Sequence, residues 1–210
     1  MDLRSMGISS NDVLSAIEKI PREIFLPSTF QSYAYENNPL PIGFEQTISQ
    51  PYIVALMTEA LKLKGNEVIL EIGTGSGYQT SILSLLSRRV YSIERIKALL
   101  VNAQSCFKKL KLTNIISEFG DGFLGWPKLA PFDHMIITCA VKKIDNRLLN
   151  QIRVNGSCVV PIGKTKTQQR LKKIIIGNDR NEDVWEDLGK VSFVPLITEK
   201  DWIILSFLKH

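Results

Sequence analysis

Hydrophobic positions in the middle of the chain follow two alternating patterns. Short apolar runs bounded by turn residues predict buried strands. These runs occur at residues 68–70, 90–93, 115–116, 135–137 and 158–160. Helical spacing of apolar residues separates several of them, near residues 78–86, 96–110 and 147–152. Strand–helix alternation predicts a mostly parallel sheet with helices on both faces.

The first 64 residues have a different pattern and predict a helical extension. Apolar positions 13, 14, 17 and 20 recur at helical spacing, Ser10 and Asn11 can cap the start, and Pro21 ends the run. The proline-rich stretch that follows predicts a loop. A second helix is predicted to begin at Pro51, which suits a first helical turn, and to end near Gly65.

Residues 164–210 predict strands without helices, at 171–176, 191–194 and 203–208. Antiparallel strands at the edge of a parallel sheet are a common arrangement. The chain is therefore predicted to form one α/β domain over residues 1–210. It would have a Rossmann-like, doubly wound, mostly parallel seven-stranded sheet, with a core at 65–163, the helical extension at 1–64 and antiparallel C-terminal strands at 164–210.

Composition narrows the class of protein. The 210 residues are 44% hydrophobic and 22% charged, an ordinary globular mixture that argues against a disordered or fibrous protein. No apolar run approaches the roughly 20 residues needed to span a bilayer, and no secretory signal is visible. Cys106, Cys139 and Cys158 are far apart, and only two histidines are present, so no metal site is predicted. A cytoplasmic protein without a membrane association is expected.

The net charge of +5 is mildly basic. Part of it lies in one segment with Lys164, Lys166, Arg170, Lys172 and Lys173. This segment could contact an acidic partner or nucleic acid. A solvated loop that continues into a strand is the favoured interpretation, because no aromatic residues are interleaved with the charges.

The segment from Glu71 to Tyr78 carries the most information about chemistry. Three glycines, Gly73, Gly75 and Gly77, follow an apolar strand and precede a helix. Glycines allow a close approach of the backbone to a ligand, and a helix N-terminus offers free N–H groups. The spacing is E-x-G-x-G-x-G and not the G-x-G-x-x-G of dinucleotide sites.

Acidic residues follow the next two predicted strands. Glu94 ends the strand after the glycine loop and can accept hydrogen bonds from both hydroxyls of a ribose. Asp121 lies in Gly120-Asp121-Gly122 after the third strand. Each feature alone could be a plain turn or a solvated strand end. Their occurrence at successive strand ends favours a cofactor site, because ligands bind at the carboxyl ends of such strands.

The glycine motif resembles the first motif of Rossmann-like S-adenosylmethionine-dependent methyltransferases. Further motifs resemble, more narrowly, the protein-L-isoaspartate O-methyltransferase family. They occur at residues 21–27, 34–35, 40–43, 46–51, 71–78, 90–95, 120–122, 125–127, 130–133 and 193–196. The Thr47-Ile48-Ser49-Gln50-Pro51 run is the most specific, because general methyltransferases lack it.

This resemblance implies a repair enzyme. It would transfer a methyl group from S-adenosylmethionine to the free α-carboxylate of L-isoaspartyl residues in damaged proteins or peptides. The methyl ester would close to a succinimide that hydrolyses partly to aspartate. The implied protein is a monomer that binds neither metal nor nucleic acid.

The resemblance also implies sets of site residues. The cofactor set is Thr47, Ile48, Ser49, Glu71, Gly73, Thr74, Gly75, Ser76, Gly77, Tyr78, Glu94, Arg95, Asp121, Gly122 and Thr138. Asp121 would meet the adenine amino group. The substrate set is Ile42, Ser49, Gln50, Cys139, Ala140, Phe193 and Val194. Backbone groups near residues 193–196 would pair with the substrate peptide as an added strand.

The chemistry of the substrate supports this interpretation independently. A carboxylate with a pKa near 4 is ionised at neutral pH and needs no general base, which agrees with the shortage of histidine. Catalysis should then be mostly positioning in a site with little water. Ser49 is the candidate catalytic residue, because its hydroxyl can orient the substrate carboxylate. The alternative for Ser49 is a helix cap before Pro51.

Some residues depart from the family pattern and keep other interpretations open. Cys139 stands where an alanine is usual, and Glu45 stands where many bacterial members have glycine. Glu45 could add negative charge near the acceptor, but a solvent-facing position is favoured. Cys139 could be the nucleophile of an RNA cytosine methyltransferase, although a small buried hydrophobe is the simpler interpretation. A cofactor-binding module without catalysis is a further alternative. His134 is predicted to be structural.

Overall fold

The computed structural model describes residues 2–197. The N-terminal part contains α1 (Asn11–Lys19), two 3-10 helices (Arg22–Phe25 and Ser28–Tyr33), the hairpin strands β1 (Leu40–Gly43) and β2 (Gln46–Ile48), and α2 (Pro51–Leu61). The rest contains β3 (Val68–Ile72), α3 (Tyr78–Leu86), β4 (Arg89–Glu94), α4 (Lys97–Lys109), β5 (Ile115–Phe119), β6 (Phe132–Ile137), α5 (Asn146–Leu149), β7 (Ile152–Ile162), β8 (Arg170–Ile175) and β9 (Val184–Lys190).

Seven of the described strands form one sheet in the order β5-β4-β3-β6-β7-β8-β9. The pairs from β5 to β7 are parallel, and β8 and β9 add antiparallel strands at one edge. The chain moves outward from β3 to β5 and then returns to the other side of β3 with β6. The predicted fold class, a Rossmann-like doubly wound sheet with antiparallel C-terminal strands, is confirmed.

Alternate residues of the central strands pack into different layers, as the period of two in a strand requires. Ile69 of β3 packs with Leu61 of α2 and Leu83 of α3 on one face of the sheet. Leu70 packs on the other face with Leu148 and Leu149 of α5. Burial on both faces explains why these strands are almost continuously apolar.

The N-terminal extension folds as predicted at its helices. The side chain of Ser10 caps α1 by accepting a hydrogen bond from the Val13 amide, and α2 begins at Pro51. The end of α2 differs from the prediction, because Lys62 adopts the left-handed conformation there (φ 55°) and ends the helix before Gly65. The predicted proline-rich loop contains instead the two 3-10 helices and the β1–β2 hairpin.

Two predictions on the C-terminal side are wrong in detail. The edge strand is Val184–Lys190 and not 191–194, because β9 pairs along its whole length with β8 although its side chains are largely polar and exposed. Helix α5 ends at Leu149, since the following residues turn into β7, which begins at Ile152. The predicted strand at 203–208 lies outside the described residues. Within residues 2–197, no helix is both long and apolar enough to cross a bilayer.

Candidate active site

The reversal of strand order places the ends of three strands side by side. Ile72, the last residue of β3, pairs with Ile93 of β4 on one side and with Ile137 of β6 on the other. The residues directly after these, Gly73, Glu94 and Thr138, therefore meet at one edge of the sheet. The carboxyl ends of strands at such a reversal point are where open α/β sheets bind ligands.

The glycine loop between β3 and α3 requires glycine at two positions for steric reasons. All three glycines have positive φ angles, 96° at Gly73, 55° at Gly75 and 88° at Gly77. A Cβ atom at Gly73 would lie 2.4 Å from Thr138 Oγ1, and one at Gly77 would lie 2.7 Å from Phe107 Cε1. The loop thus packs tightly between β6 and α4 and turns its middle part toward the strand ends.

A cavity, here called the inner cavity, opens at this edge of the sheet. Its walls combine the glycine loop, an apolar slot and a few polar side chains. It is lined by Gln46, Thr47, Ile48, Ser49, Val54, Met57, Ile72, Gly73, Thr74, Gly75, Ser76, Tyr78, Gln79, Ile93, Glu94, Arg95, Leu99, Gly122, Thr138, Cys139, Val194, Pro195, Leu196 and Ile197.

Glu94 supplies the carboxylate of the inner cavity and also holds its loops. One oxygen accepts a hydrogen bond from the Gly75 amide at 2.8 Å, and the other accepts one from the Ile96 amide at 2.8 Å. Glu94 is 5% exposed, and burial raises the pKa of its carboxyl, opposed by these two amide hydrogen bonds. Each oxygen retains a second lone-pair direction with which it can accept a ligand hydroxyl.

Glu71 lies behind the glycine loop in a fully buried network. One of its oxygens accepts hydrogen bonds from the hydroxyls of Thr80 and Ser92, and Ser92 in turn lies 2.6 Å from the Thr74 hydroxyl. The other oxygen, Oε1, has no hydrogen-bond partner among the described residues. Burial raises the pKa of Glu71 to about 8, although the Ser92 and Thr80 hydrogen bonds lower it. Glu71 is therefore mostly protonated at neutral pH.

A second depression, here called the outer groove, adjoins the inner cavity. It is lined by Pro39, Thr47, Ser49, Gln50, Ile53, Thr138, Lys166, Thr167, Lys190, Val191, Ser192, Phe193 and Val194. Thr47, Ser49, Thr138 and Val194 line both spaces and form the boundary between them. A group in the groove can therefore reach a ligand in the cavity at Ser49.

The hydroxyl of Ser49 makes no hydrogen bond with any residue in the range 2–197. The N-cap residue of α2 is Gln50, and no side chain caps that helix. The cap alternative for Ser49 is thus not realised. Its carbonyl instead accepts a hydrogen bond from the guanidinium of Arg22 at 3.0 Å.

Arg22 is a fully buried cation at this boundary. Its guanidinium also donates to the carbonyls of Ala34 and Asn38 and lies 5.8 Å from the centre of the Tyr78 ring. Its Nε has no partner among the described residues. Desolvation lowers the pKa of Arg22. One side chain thus connects the N-terminal extension, the Ser49 backbone and the start of α3.

The wall formed by residues 191–196 is held by a side-chain amide. Gln169 Oε1 accepts from the Phe193 amide at 2.6 Å, and Gln169 Nε2 donates to the Phe193 carbonyl at 3.1 Å. Further along, the Ala140 amide donates to the Val194 carbonyl, and the Ala140 carbonyl accepts from the Leu196 amide, both at 2.8 Å. The Val191 amide also donates to the Gln169 carbonyl at 3.2 Å. These bonds form only an isolated bridge between Ala140 and Pro195 in place of a regular strand ladder, so the predicted strand is absent here.

Five predicted site residues line neither space. Glu71 lies behind the glycine loop, Gly77 ends that loop and packs against Phe107 of α4, and Ala140 holds the wall. Asp121 accepts a hydrogen bond from the Phe123 amide and caps a short 3-10 helix next to Gly122. Ile42 lies near the loop, with its Cδ1 atom 3.8 Å from a Cβ that would be added to Gly75.

The remaining predicted residues divide between the two spaces. Thr47, Ile48, Ser49, Gly73, Thr74, Gly75, Ser76, Tyr78, Glu94, Arg95, Gly122, Thr138, Cys139 and Val194 line the inner cavity. Gln50 and Phe193 line only the outer groove. Sequence reasoning did not single out Gln46, Met57, Gln79, Leu99 or the two lysines of the groove. Apolar spacing predicted Met57 only as a core position, Lys166 belonged to the basic segment, and Lys190 carried no signal in the sequence.

Cys139 and His134 do not have the properties of reactive groups. Burial raises the pKa of the Cys139 thiol to about 12, so the thiolate is scarce at neutral pH. His134 Nδ1 accepts a hydrogen bond from the Ser157 amide at 3.2 Å and lies 2.9 Å from the Ser157 hydroxyl, and burial lowers its pKa.

Among residues 2–197, no cluster of three His, Cys, Asp or Glu side chains could hold a metal. Glu45 is exposed, as favoured from the sequence.

The strand order, the glycine loop and Glu94 at the neighbouring strand end define a Rossmann-like methyltransferase. Comparisons with known proteins specify the family. The profile of protein-L-isoaspartate(D-aspartate) O-methyltransferases matches residues 1–201, and the chain belongs to this family. The sequence resemblance is thereby confirmed, and so is the prediction that the chain is a protein-repair methyltransferase.

Relatives and solved structures agree with this assignment. A protein-L-isoaspartate O-methyltransferase of Dictyoglomus turgidum is 51% identical over 200 residues, which cover 95% of this chain and 90% of that protein. A solved protein-L-isoaspartate O-methyltransferase superimposes with a TM-score of 0.82 and 28% identity, covering 92% of this chain and 63% of that chain. A solved structure of a putative protein-L-isoaspartate O-methyltransferase from Plasmodium falciparum, in complex with S-adenosyl-L-homocysteine, shares the fold. It is 24% identical, its TM-score is 0.80, and the superposition covers 92% of this chain and 94% of that chain.

Proposed function

We propose that the inner cavity holds the methyl donor, that the outer groove holds the isoaspartyl segment of a damaged protein, and that Ser49 aligns the acceptor carboxylate between them. The methyl donor is S-adenosylmethionine, which supplies an electrophilic methyl group on a sulfonium. The observation that carries the proposal is the position of Ser49. Its hydroxyl has no partner among residues 2–197, and it lines both spaces.

The residues of the inner cavity fit this donor. Glu94 has free acceptor positions for the two ribose hydroxyls, and Ile72, Ile93 and Leu99 offer apolar surface to a flat base. Gly75 leaves open the space that a side chain would fill, since an added Cβ would contact only Ile42 at 3.8 Å. Gly122 lines the cavity beside Asp121, which supports the expected position of the adenine near that acid.

The residues around the acceptor need not move a proton before methyl transfer. An isoaspartyl α-carboxylate is already ionised at neutral pH, so its oxygen attacks directly. The Ser49 hydroxyl donates to one carboxylate oxygen and directs the other toward the inner cavity. The positive charge of the sulfonium and the negative charge of the carboxylate are both neutralised as the methyl group moves. A site that excludes water accelerates such a step. The half-buried Thr138 and Val194, with the buried Cys139 and Phe193 beside them, serve that exclusion.

The outer groove also supports binding of an extended peptide. The amide and carbonyl of Phe193 are engaged by Gln169, but Ser192 lines the groove and its backbone groups make no hydrogen bond with the described residues. A peptide strand can therefore add beside this segment through main-chain hydrogen bonds. Such binding would accept many sequences, as a repair enzyme requires. A monomeric state and a cytoplasmic location remain expectations from the sequence.

The decisive test uses labelled S-adenosylmethionine with two matched peptides, one isoaspartyl and one with normal aspartate. Base-labile label on the isoaspartyl peptide alone is the expected result. Ser49→Ala should lower kcat about a hundredfold, the typical effect of removing one preorganised hydrogen-bond donor, while cofactor affinity by calorimetry stays within about threefold. Ser28→Ala, an exposed serine outside both spaces, is the control. Near-normal turnover of Ser49→Ala would remove Ser49 from the chemistry.

A further inference from the structure

The basic segment from Lys164 to Lys173 contains cations that form ion pairs and cations that form none within residues 2–197. Arg170 and Lys172 both contact the carboxylate of Asp187 on β9, at 2.5 and 3.0 Å. Lys173 lies 3.9 Å from Glu186 on the same strand. The antiparallel pairing of β8 with β9 therefore neutralises the part of the segment that lies in the sheet. The positive charge that remains lies in the loop before β8.

Two cations without a partner lie at the outer groove. Lys166, in the turn before β8, and Lys190, at the end of β9, both line the groove together with Ser49 and Gln50. Neither lysine forms an ion pair with another residue in the range 2–197. Among residues 2–197, no Asp or Glu lines the groove. This described part of the groove therefore presents positive charge without local compensation.

The fold places these two lysines near the point where the start of β8 pairs with the end of β9. Arg170, which follows the turn of Lys166 by four positions, pairs directly with Lys190 in the sheet. The wall formed by residues 191–196 starts immediately after Lys190. A peptide that lies along this wall consequently passes both ammonium groups. Residues of an extended strand rise about 3.3 Å each, so side chains a few residues from the acceptor come within reach of these lysines.

We infer that Lys166 and Lys190 make the acceptor groove selective for isoaspartyl segments that carry further acidic side chains near the damaged residue. This inference rests on the proposed use of the groove as the acceptor site. Opposite charges raise the local concentration of acidic segments and orient them. Like charges disfavour lysine-rich and arginine-rich segments at the same place. The cations act as specificity determinants and take no part in methyl transfer.

The expected selectivity is moderate, because both lysines are exposed to solvent. Exposed ion pairs contribute about 0.2–1 kcal/mol each, which converts to roughly 1.4-fold to 5-fold per pair. Salt screens such pairs, since the Debye length falls from about 10 Å at 0.1 M to about 3 Å at 1 M. Selectivity by shape or by hydrophobic contact would not show this dependence on salt.

The test compares kcat/KM for two isoaspartyl peptides that differ only in their flanking residues, glutamate in one and glutamine in the other. At low ionic strength the acidic peptide should be favoured about threefold to tenfold, and the preference should shrink toward one at high salt. The double variant Lys166→Gln/Lys190→Gln should reduce the preference at low salt to less than about twofold. The control double variant Lys108→Gln/Lys128→Gln, with the same change in net charge at exposed positions outside the groove, should retain it.

The outcomes separate the inference from the proposed function. Equal kcat/KM for both isoaspartyl peptides would overturn the inference and leave the methyltransferase assignment intact. A preference that persists in the Lys166/Lys190 variant would overturn the role of these lysines. A failure to methylate either isoaspartyl peptide, with S-adenosylmethionine bound, would instead contradict the proposed function.

Discussion

The two halves of the active site are built in different ways. One wall of the inner cavity is formed by a continuous segment, β3 with its glycine loop and α3, and by residues at the ends of neighbouring strands, while the opposite side comes from the N-terminal extension and residues 194–197. The outer groove is formed by distant parts of the chain. Its Ser49 is held by Arg22, 27 residues away, and its Phe193 wall is held by Gln169, 24 residues away.

This difference shows how the functional residues of each half are held in position. In the wall formed by the glycine loop and the strand ends, backbone geometry and the register of parallel strands place the groups, so local sequence is sufficient there. In the outer groove, long polar side chains bind to backbone groups that have no strand partner. Buried backbone groups require hydrogen-bond partners, and here Arg22 and Gln169 supply them. The outer groove should therefore depend more strongly on single side chains.

The largest expected effect concerns Arg22. Arg22→Met removes the donors to three carbonyls, those of Ala34, Asn38 and Ser49. The Ala34 carbonyl is buried, and leaving it without a partner costs about 1–3 kcal/mol. The Asn38 and Ser49 carbonyls are only partly buried and cost less, and the removal of a buried cation offsets part of the total. The free energy of unfolding should fall by roughly 2–4 kcal/mol, measured by urea denaturation. Arg88→Met, at an exposed position, should change it by less than about 0.5 kcal/mol. Equal stability of the two variants would contradict this account of Arg22.

The next effect concerns Glu71 in the inner half and depends on pH. The pKa of Glu71 is about 8 in the folded protein against 4.5 as its ordinary value, so the folded state binds the proton more tightly. Stability from this group is present below pH 4.5 and is lost as pH rises toward 8.

Glu71→Gln removes the titrating group. Between pH 5 and pH 8, the unfolding free energy of this variant should therefore fall by about 2–3 kcal/mol less than that of the wild type. Denaturant titrations of the ligand-free protein at several pH values provide the measurement. Glu118→Gln, at an exposed position on β5, should leave the pH dependence of the wild type unchanged. Parallel pH profiles for wild type and Glu71→Gln would show that Glu71 is ionised in the fold.

The smallest effect concerns the wall of the groove. Gln169→Leu removes both hydrogen bonds to the Phe193 backbone and should raise the KM for an isoaspartyl peptide about threefold to tenfold, which is about 1 kcal/mol. The dissociation constant of the cofactor should change less, because Gln169 does not line the inner cavity. Gln168→Leu, at the exposed neighbouring position, is the matched control. A larger effect on the cofactor than on the peptide would contradict the division into two halves.

The sequence by itself determined the inner half of the site. Strand–helix alternation predicted the sheet, and the glycine spacing with Glu94 predicted where a ligand would bind. These signals are readable because they are local. Gly73 and Gly77 are needed for the conformation of one short loop, and Glu94 directly follows the strand that sets its position.

The sequence resemblance names Ser49, Gln50, Phe193 and Val194 of the outer half, but only the tertiary structure decided how they are held in position. Nothing in the local sequence indicates that Gln169 would take the place of a strand partner for Phe193, so a strand was predicted there and β9 was missed. Nor does it show that Arg170 and Lys172 are neutralised by Asp187 while Lys166 and Lys190 have no ion-pair partner within residues 2–197. These contacts join residues far apart in the chain, and only the packing of the whole sheet brings them together.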